Sequence, residues 1–317
     1  MQPTDSNFDT PLADLRKQIE ELEGYPAGSS QEKELNRLRT SLRKNTTEVY
    51  GNLSRWQKML VARHPDRPYT LDYIQYLMED WVEVHGDRAY GEDAAIVAGF
   101  AKFRGRSVAV IGHEKGRDTK ERILRNFGQP RPEGYRKALR VMKLAETFRL
   151  PILTFIDTAG AYPGLDAEER GQAEAIARNL LEMSILNVPI IVTVTGEGGS
   201  GGALALGVGD RVFILEYATY SVISPEGCAA ILWKDQEKKA EAAEAMKITA
   251  PDLLQLGVVD EIIPEPAGGA HTDPQATCRR VGDVIAKSLD ELSRLNPQEL
   301  IARRYDKFRA LGVYDEG

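Results

Sequence analysis

The segment that most constrains this chain runs from Ile190 to Asp210. An apolar, strand-like stretch, Ile190 to Thr195, leads into Gly196-Glu-Gly-Gly-Ser-Gly-Gly202 and then a short helix of small residues. Five of the seven residues from Gly196 to Gly202 are glycine. Glycine serves where the backbone takes φ > 0 or where another molecule comes close to the main chain. Free N–H groups at a helix start bind anions or developing oxyanions. This stretch therefore points to chemistry carried by the backbone rather than by a side chain.

Three better-known patterns overlap there. Gly196-x-Gly198-x-x-Gly201 matches a dinucleotide fingerprint, with Glu216 twenty residues on, but the helix before Gly209 is too short for an ordinary crossover. Gly198-Gly-Ser200-Gly-Gly202 matches a nucleophile elbow, for which Asp260 and His271 are the downstream acid and base candidates. Asp157-Thr-Ala-Gly160 resembles a GTPase switch turn, yet no phosphate-binding G-x-x-x-x-G-K-[ST] loop exists in the chain.

The surrounding pattern is α/β. Strand-like runs at 94–103 and 107–112, joined by Arg104-Gly-Arg106, read as a hairpin. Strands at 151–156, 190–195, 211–216, 220–223 and 258–263 alternate with helices, notably 167–186, which indicates largely parallel pairing. The turns 157–164 and 196–202 follow consecutive strands, so they fall on one edge of a parallel sheet, where ligands bind. Upstream, helices are expected at 10–23, with Thr10 as cap and Pro11 in the first turn, and at 70–81, capped by Thr70. Between them lies a polar break at 24–30, then a Ser29–Glu32 capping box opening one long helix. Leu35, Leu38, Leu42, Val49, Leu53, Trp56 and Leu60 stripe that helix, marking an arm that packs on the main domain or on a partner. Helices near 240–246, 251–256, 275–295 and 298–311 complete the chain.

Composition narrows the function. Among 317 residues, 42% hydrophobic and 28% charged, no apolar run reaches the ~20 residues of a membrane span. No signal-peptide pattern opens the chain, and two cysteines make neither a disulfide framework nor a four-cysteine zinc ribbon, so a cytoplasmic location is expected. The net charge of −7 argues against nucleic acid as the main partner. Residues 115–143 nevertheless carry ten cations and three carboxylates. That run suits either a solvated helix face or a surface for an anionic ligand or acidic partner.

Many ordered segments resemble one family. They include Arg63-His-Pro-Asp-Arg-Pro-Tyr69, Gly86-Asp-Arg-Ala-Tyr90, Ile111-Gly-His-Glu-Lys-Gly-Arg117, Asn126-Phe-Gly128, Pro132-Glu-Gly-Tyr135, Phe155-Ile-Asp-Thr-Ala-Gly-Ala-Tyr-Pro-Gly164, Gly196 to Gly202, and Ser221-Val-Ile-Ser-Pro-Glu-Gly-Cys228. Together they span roughly residues 50 to 270 and resemble the alpha subunits of bacterial-type acetyl-CoA carboxylase carboxyltransferases. The resemblance implies a crotonase-like fold (a ββα superhelix). It implies an N-terminal helical arm at 1–65 and a carboxyltransferase domain at 66–317, the family's own domain running roughly from 35 to 295. The implied reaction moves the carboxyl group of carboxybiotin, presented by a biotin carrier protein, to acetyl-CoA, giving malonyl-CoA for fatty acid synthesis. No covalently bound cofactor and no metal are implied, and ATP is used only by a partner biotin carboxylase. A homologous zinc-ribbon beta subunit, in an α2β2 assembly, would complete the site.

Residue roles follow from the same resemblance. The N–H groups of Gly201 and Gly202 would form the oxyanion hole for the biotin ureido oxygen, with Ser200 reduced to a turn residue. Gly160, Ala161, Tyr162, Gly164, Gly198, Gly199, Lys115 and Arg117 would line the substrate. Ala159 stands where the family often has proline, which loosens that turn. Leu165 and Asp166 replace smaller residues at the rim. The rival classes are a self-contained serine hydrolase built on Ser200 and a non-catalytic scaffold.

Overall fold

The computed structural model describes residues 8–23 and 29–312. The expected break at 24–30 and the Ser29 cap lie outside the residues or side chains it describes.

Helix α1 (Thr10–Glu23) packs on α2 (Ser29–Gly51). Asp9 rather than Thr10 occupies the cap position of α1, its carbonyl accepting from the N–H groups of Leu12 and Ala13. The long helix expected through Leu60 is two helices. α2 stops at Gly51, and Ser54 starts α3 (Arg55–Ala62) with a full capping box to Gln57, two reciprocal bonds that favour a fresh start over a continuous helix. The arm lies on its own chain. Leu12, Tyr50, Leu53 and Val61 cluster with Tyr217, while Trp56 and Met59 pack on Ala243 and Ile248.

Helix α4 (Thr70–Leu77) ends earlier than expected, because Met78 turns extended and opens strand β1 (Met78–Glu83). Its cap is Tyr69, whose N–H is bound by Asp72; the Thr70 hydroxyl instead donates to the His113 carbonyl at 2.6 Å. The hairpin is as read: β2 (Ile96–Phe103) and β3 (Arg106–His113) turn through Arg104 and Gly105, both at positive φ. α5 (Thr119–Leu124) and α6 (Pro132–Thr147) flank a kink in which Asn126, Phe127 and Gly128 all have positive φ.

Strand β4 (Ile152–Thr158) follows, then α7 (Leu165–Glu169) and α8 (Gln172–Ile185). These last two replace the single helix expected at 167–186, because Gly171 sits at φ 83 between them. The remaining elements are β5 (Ile190–Gly199), α9 (Ser200–Leu204), β6 (Arg211–Leu215), β7 (Thr219–Ser221), α10 (Pro225–Leu232), α11 (Lys239–Met246), α12 (Ala250–Gln255), β8 (Glu261–Ile263), α13 (Pro274–Leu292) and α14 (Pro297–Arg309).

The strands form one mixed sheet in the order β1-β2-β3-β4-β5-β6-β8, with β7 paired to the far end of β5. The β1-β2-β3 edge is antiparallel and every other pairing is parallel. Every residue of β4 and β5 is buried, because helices cover both faces, and this gives their sequences a largely apolar character over 152–156 and 190–194, broken only by Thr154 and Thr193. On one face Tyr73 of α4 stacks on Phe155 of β4, the ring centroids 5.0 Å apart. α6 and α9 cover the other face, and α8 packs against both of them.

One ion pair locks these layers. Arg67 and Glu265 are both fully buried and bidentate at 2.7 and 2.8 Å, and Arg67 also binds the Thr195 carbonyl of β5. Glu265 accepts further bonds from the N–H groups of Tyr217 and Ala270, so the pair is saturated, as a buried charge must be.

Candidate active site

The glycine stretch is mostly strand, not turn. β5 continues through Gly199 because Glu197, Gly198 and Gly199 pair with Thr219, Tyr220 and Ser221 of β7, while Gly198 also faces Thr158 of β4. The turn is confined to Ser200, which takes φ 51, and α9 starts there. Strand β7, too short to stand out in the sequence, is what extends β5.

The ends of β4 and β5 meet closely. A side chain on Gly202 would lie 2.5 Å from the Ala161 nitrogen and 2.6 Å from the Gly160 carbonyl carbon, so only glycine fits there. A side chain on Gly199 would enter the Ala159 carbonyl. Gly201 differs: its nearest neighbour would be Ile176 at 3.5 Å, an ordinary contact. The opposing turn is tied down at both ends. Thr158 Oγ1 accepts from the Gly160 N–H and donates to the Gly160 carbonyl, and the Tyr162 N–H donates to the Pro130 carbonyl at 3.0 Å. Gln172 Nε2 holds the Pro130 and Tyr162 carbonyls together. The Arg131 guanidinium lies 4.7 Å over the Tyr162 ring, and Gly164 begins α7 against that same ring. Gly160, Ala161, Gly199, Gly201 and Gly202 are thus brought together. Tyr162 and Gly164 form the flank and Gly198 the sheet beneath.

Lys115 and Arg117 have protein partners. Lys115 Nζ binds Asp157 Oδ1 at 2.5 Å, and the same oxygen accepts from the Glu197 N–H, so the ends of β3, β4 and β5 are cross-linked. Burial alone would lower the Lys115 pKa, but the Asp157 and Glu197 carboxylates raise it. Arg117 grips the Pro65 and Arg67 carbonyls, pairs with Asp72 and lies 4.1 Å over the Tyr69 ring. Most of the basic run is similarly spent inside the chain. Arg136, Lys137 and Arg140 hold the 85–93 loop through Asp87, Glu92 and the carbonyls of His85 and Gly86. Beside Lys120 and Arg122, the side chains of Ile123, Leu124 and Phe127 are exposed. Arg63, at the end of the arm, joins Glu197 at 2.7 Å and Glu226 at 2.6 Å, binding the arm to the site's floor.

The strand, turn and short helix around Ser200 have an elbow's backbone shape without its catalytic partners. His271 stacks on His64 with the ring centroids 3.7 Å apart, and Asp260 is bonded to Lys307 and to the Val212 N–H. Burial first of all lowers the His271 pKa, to about 4. Among the described residues no base reaches Ser200, so the triad reading fails. The dinucleotide reading fails on α9, a single turn long, and on Glu216, whose carboxylate is taken by the Glu265 N–H.

What remains is a backbone-lined rim at the ends of parallel strands in a crotonase-like α/β fold. Solved structures share this fold. The chain aligns with a transcarboxylase 12S structure at TM-score 0.58 and 23% identity, over 72% of this chain and 42% of that one, so it spans less than half of that protein. A chain of a Pseudomonas malonate decarboxylase hetero-tetramer aligns at TM-score 0.59 and 18% identity, over 74% of this chain and 91% of that one. In sequence, the family model described as "Acetyl co-enzyme A carboxylase carboxyltransferase-like" matches residues 5–312. The chain belongs to that family. It is 57% identical to the acetyl-coenzyme A carboxylase carboxyl transferase subunit alpha of Geobacter metallireducens, covering 98% of both chains. It is 56% identical to the subunit of the same name in Thioalkalivibrio sulfidiphilus, covering 100% of both.

Proposed function

We propose that this chain is the carboxybiotin-handling half of a two-subunit carboxyltransferase. It would deliver the carboxyl group from a carrier-bound carboxybiotin to acetyl-CoA, yielding malonyl-CoA. The observation that carries this reading is the meeting of the β4 and β5 ends, where Gly202 has no room for a side chain and, among the described residues, no nucleophile–base pair stands nearby. In this reading the N–H groups of Gly201 and Gly202 stabilise the negative charge that develops on the ureido oxygen as the carboxyl group leaves. Known oxyanion donors are each worth about 3–4 kcal/mol of barrier. Gly160 and Ala161 shape the opposing wall, Tyr162 and Gly164 form its rim, and Gly199 lets β5 close onto the Ala159 carbonyl. Lys115 and Arg117 act by bracing the site rather than by meeting the anion.

The second half of the site would come from a zinc-ribbon beta subunit in an α2β2 assembly. Exposed apolar side chains support such a face. Leu204 and Val222 border a cavity of about 360 Å3 shared with Ser200, Tyr220 and Phe308, and Ile231 and Leu232 stand exposed on α10. We place the domain boundary after residue 65 and the protein in the cytoplasm; among the described residues no helix is long and apolar enough to cross a membrane.

The test is reconstitution with the zinc-ribbon subunit. The complex should decarboxylate malonyl-CoA only when a biotin derivative is supplied. Absence of biotin-dependent turnover, with both subunits folded and associated, would sink the proposal.

A further inference from the structure

Helix α5 contributes nothing to the core. None of its six residues is buried, and a helix that short does not hold itself together in water. Polar ties keep it in place. Asp118 caps it, accepting from the Glu121 N–H at 2.8 Å, and Arg125 at its end donates to the Ala94 carbonyl at 2.9 Å. The kink that follows is held as firmly. Asn126 and Phe127 sit at φ 46 and 55, a conformation that a bulky residue such as phenylalanine rarely adopts. Asn126 Nδ2 donates to the Gln129 carbonyl at 2.8 Å, and a side chain on Gly128 would lie 2.6 Å from Lys115 Cγ. What this built segment displays is apolar. Ile123, Leu124 and Phe127 are 64%, 66% and 59% exposed, with Lys120 exposed beside them. Exposed apolar side chains grouped in this way mark a contact surface.

The segment borders the site. Gly128 packs on Lys115, which is bound to Asp157 at the end of β4. Two residues on, the Pro130 carbonyl accepts from the Tyr162 N–H of the turn that meets Gly202. Along the sheet the order is β3, β4, β5, with β7 on the far end of β5. The kink thus stands on the β3–β4 side of the rim, and the exposed Val222, just past β7, stands beyond β5 on the other. We propose that α5 and the kink dock the biotinylated carrier protein, through an apolar patch on that protein fringed by carboxylates, while the beta subunit takes the β7 side. The cationic bias of residues 115–143 suits such a fringe. This inference rests on the reading of the Gly201–Gly202 rim as the carboxybiotin site, since a carrier whose tethered biotin enters that rim must sit beside it. Docking makes delivery of the tethered biotin intramolecular and raises its local concentration. An aromatic ring held out on a fixed backbone suits an anchor, because little freedom is lost when it is covered.

The test compares tethered with free biotin in the reconstituted two-subunit enzyme. Leu124→Glu keeps a helix former, and Phe127→Asp keeps a residue that tolerates positive φ. Each variant should lose about tenfold or more in kcat/KM for the biotinylated carrier, through KM, and change less than about twofold with a free biotin derivative. Independently of any variant, adding the biotinylated carrier to the wild-type complex should slow amide exchange over residues 119–129, and the free biotin derivative should not. Unchanged carrier KM in both variants, equal losses with carrier and free biotin, or unaltered exchange would overturn the docking. So would loss of co-elution with the zinc-ribbon subunit in either variant, which would make this face the subunit interface. A wild-type complex inert toward carrier and free biotin alike would overturn the carboxybiotin reading itself, and the docking with it.

Discussion

Gly201 and Gly202 look alike in the chain and behave differently in space. Gly202 is crowded by the 160–161 turn, while Gly201 faces Ile176 with normal clearance. Gly201→Ala should therefore fold normally and gain up to about 1 kcal/mol in a denaturant melt, since alanine restricts the unfolded chain at a compatible position. Gly202→Val should push the two turns apart and abolish biotin-dependent turnover. Ser200→Ala should retain activity within a few-fold, which a steady-state assay against wild type would check; a loss of several orders of magnitude would revive the hydrolase reading. Glu114, next to His113, supplies a pH signature. Burial raises its carboxyl to about 7 against the opposing Leu71 N–H bond. Its folded pKa lies above the unfolded value, so the native state holds a proton that the unfolded chain has released. Stability therefore falls as pH climbs from the unfolded pKa through about 7, by on the order of 3 kcal/mol in total. Glu114→Gln should flatten that slope, being more stable than wild type at pH 8 and similar at pH 4. Denaturation midpoints at the two pH values would measure it.

At the scale of elements, the helices were legible from caps and stripes, but their interruptions were not always. The leucine stripe continues across Asn52 and Leu53, so periodicity alone reads one helix. The Ser54–Gln57 capping box that divides it is visible as Ser-x-x-Gln, yet it competes with an unbroken apolar pattern. Met78 to Trp81 reads as helix because it extends a helical stretch; only its pairing with β2 makes it a strand. Propensity yields to sheet hydrogen bonding in such cases. The sequence reading ends β5 at Thr195 for the opposite reason. Glycine weakens a strand on its own, and Gly196 to Gly199 are held extended by β4 and β7. An element-scale prediction concerns Arg63, which ties the end of α3 to β5 and α10. Arg63→Ala should expose the arm to limited proteolysis near residues 52–63 before the β-sheet core is cut, as read by mass spectrometry of early fragments.

For the whole molecule, Arg67 is the joint that sequence reasoning missed. It pairs with Glu265, 198 residues later, and binds β5 from beneath. Arg67→Met would strand a buried carboxylate and should cost about 3–5 kcal/mol, whereas Arg67→Met with Glu265→Gln should recover part of that loss. Chemical denaturation of the two variants and of wild type gives the comparison, and equal losses in both would refute the coupling. The exposed apolar side chains of α9, β7's end and α10 make a second prediction at this scale. Val222→Asp or Ile231→Asp should leave the isolated chain folded and abolish co-elution with the zinc-ribbon subunit.

The residue order alone established the α/β class, the hairpin, the two turns on one sheet edge, and the ordered motifs that place the chain among the carboxyltransferases. These are local or ordered signals, carried by periodicity, glycine spacing and short contiguous segments. The proposal of a backbone site in the glycine stretch was also open to sequence, because five glycines in seven residues lead into a helix start. Tertiary structure alone decided how the charges are spent. Lys115 meets Asp157, Arg117 meets Asp72, and Arg67 meets Glu265 across separations that no window of sequence spans. It also distinguished Gly202 from Gly201, and hung Thr154 of β4 and Asn179 of α8 on the Leu206 and Ala205 carbonyls just past α9. The physical reason is common to all of these: close approach and the pairing of buried charge depend on which strands are neighbours, and strand order is a property of the folded sheet.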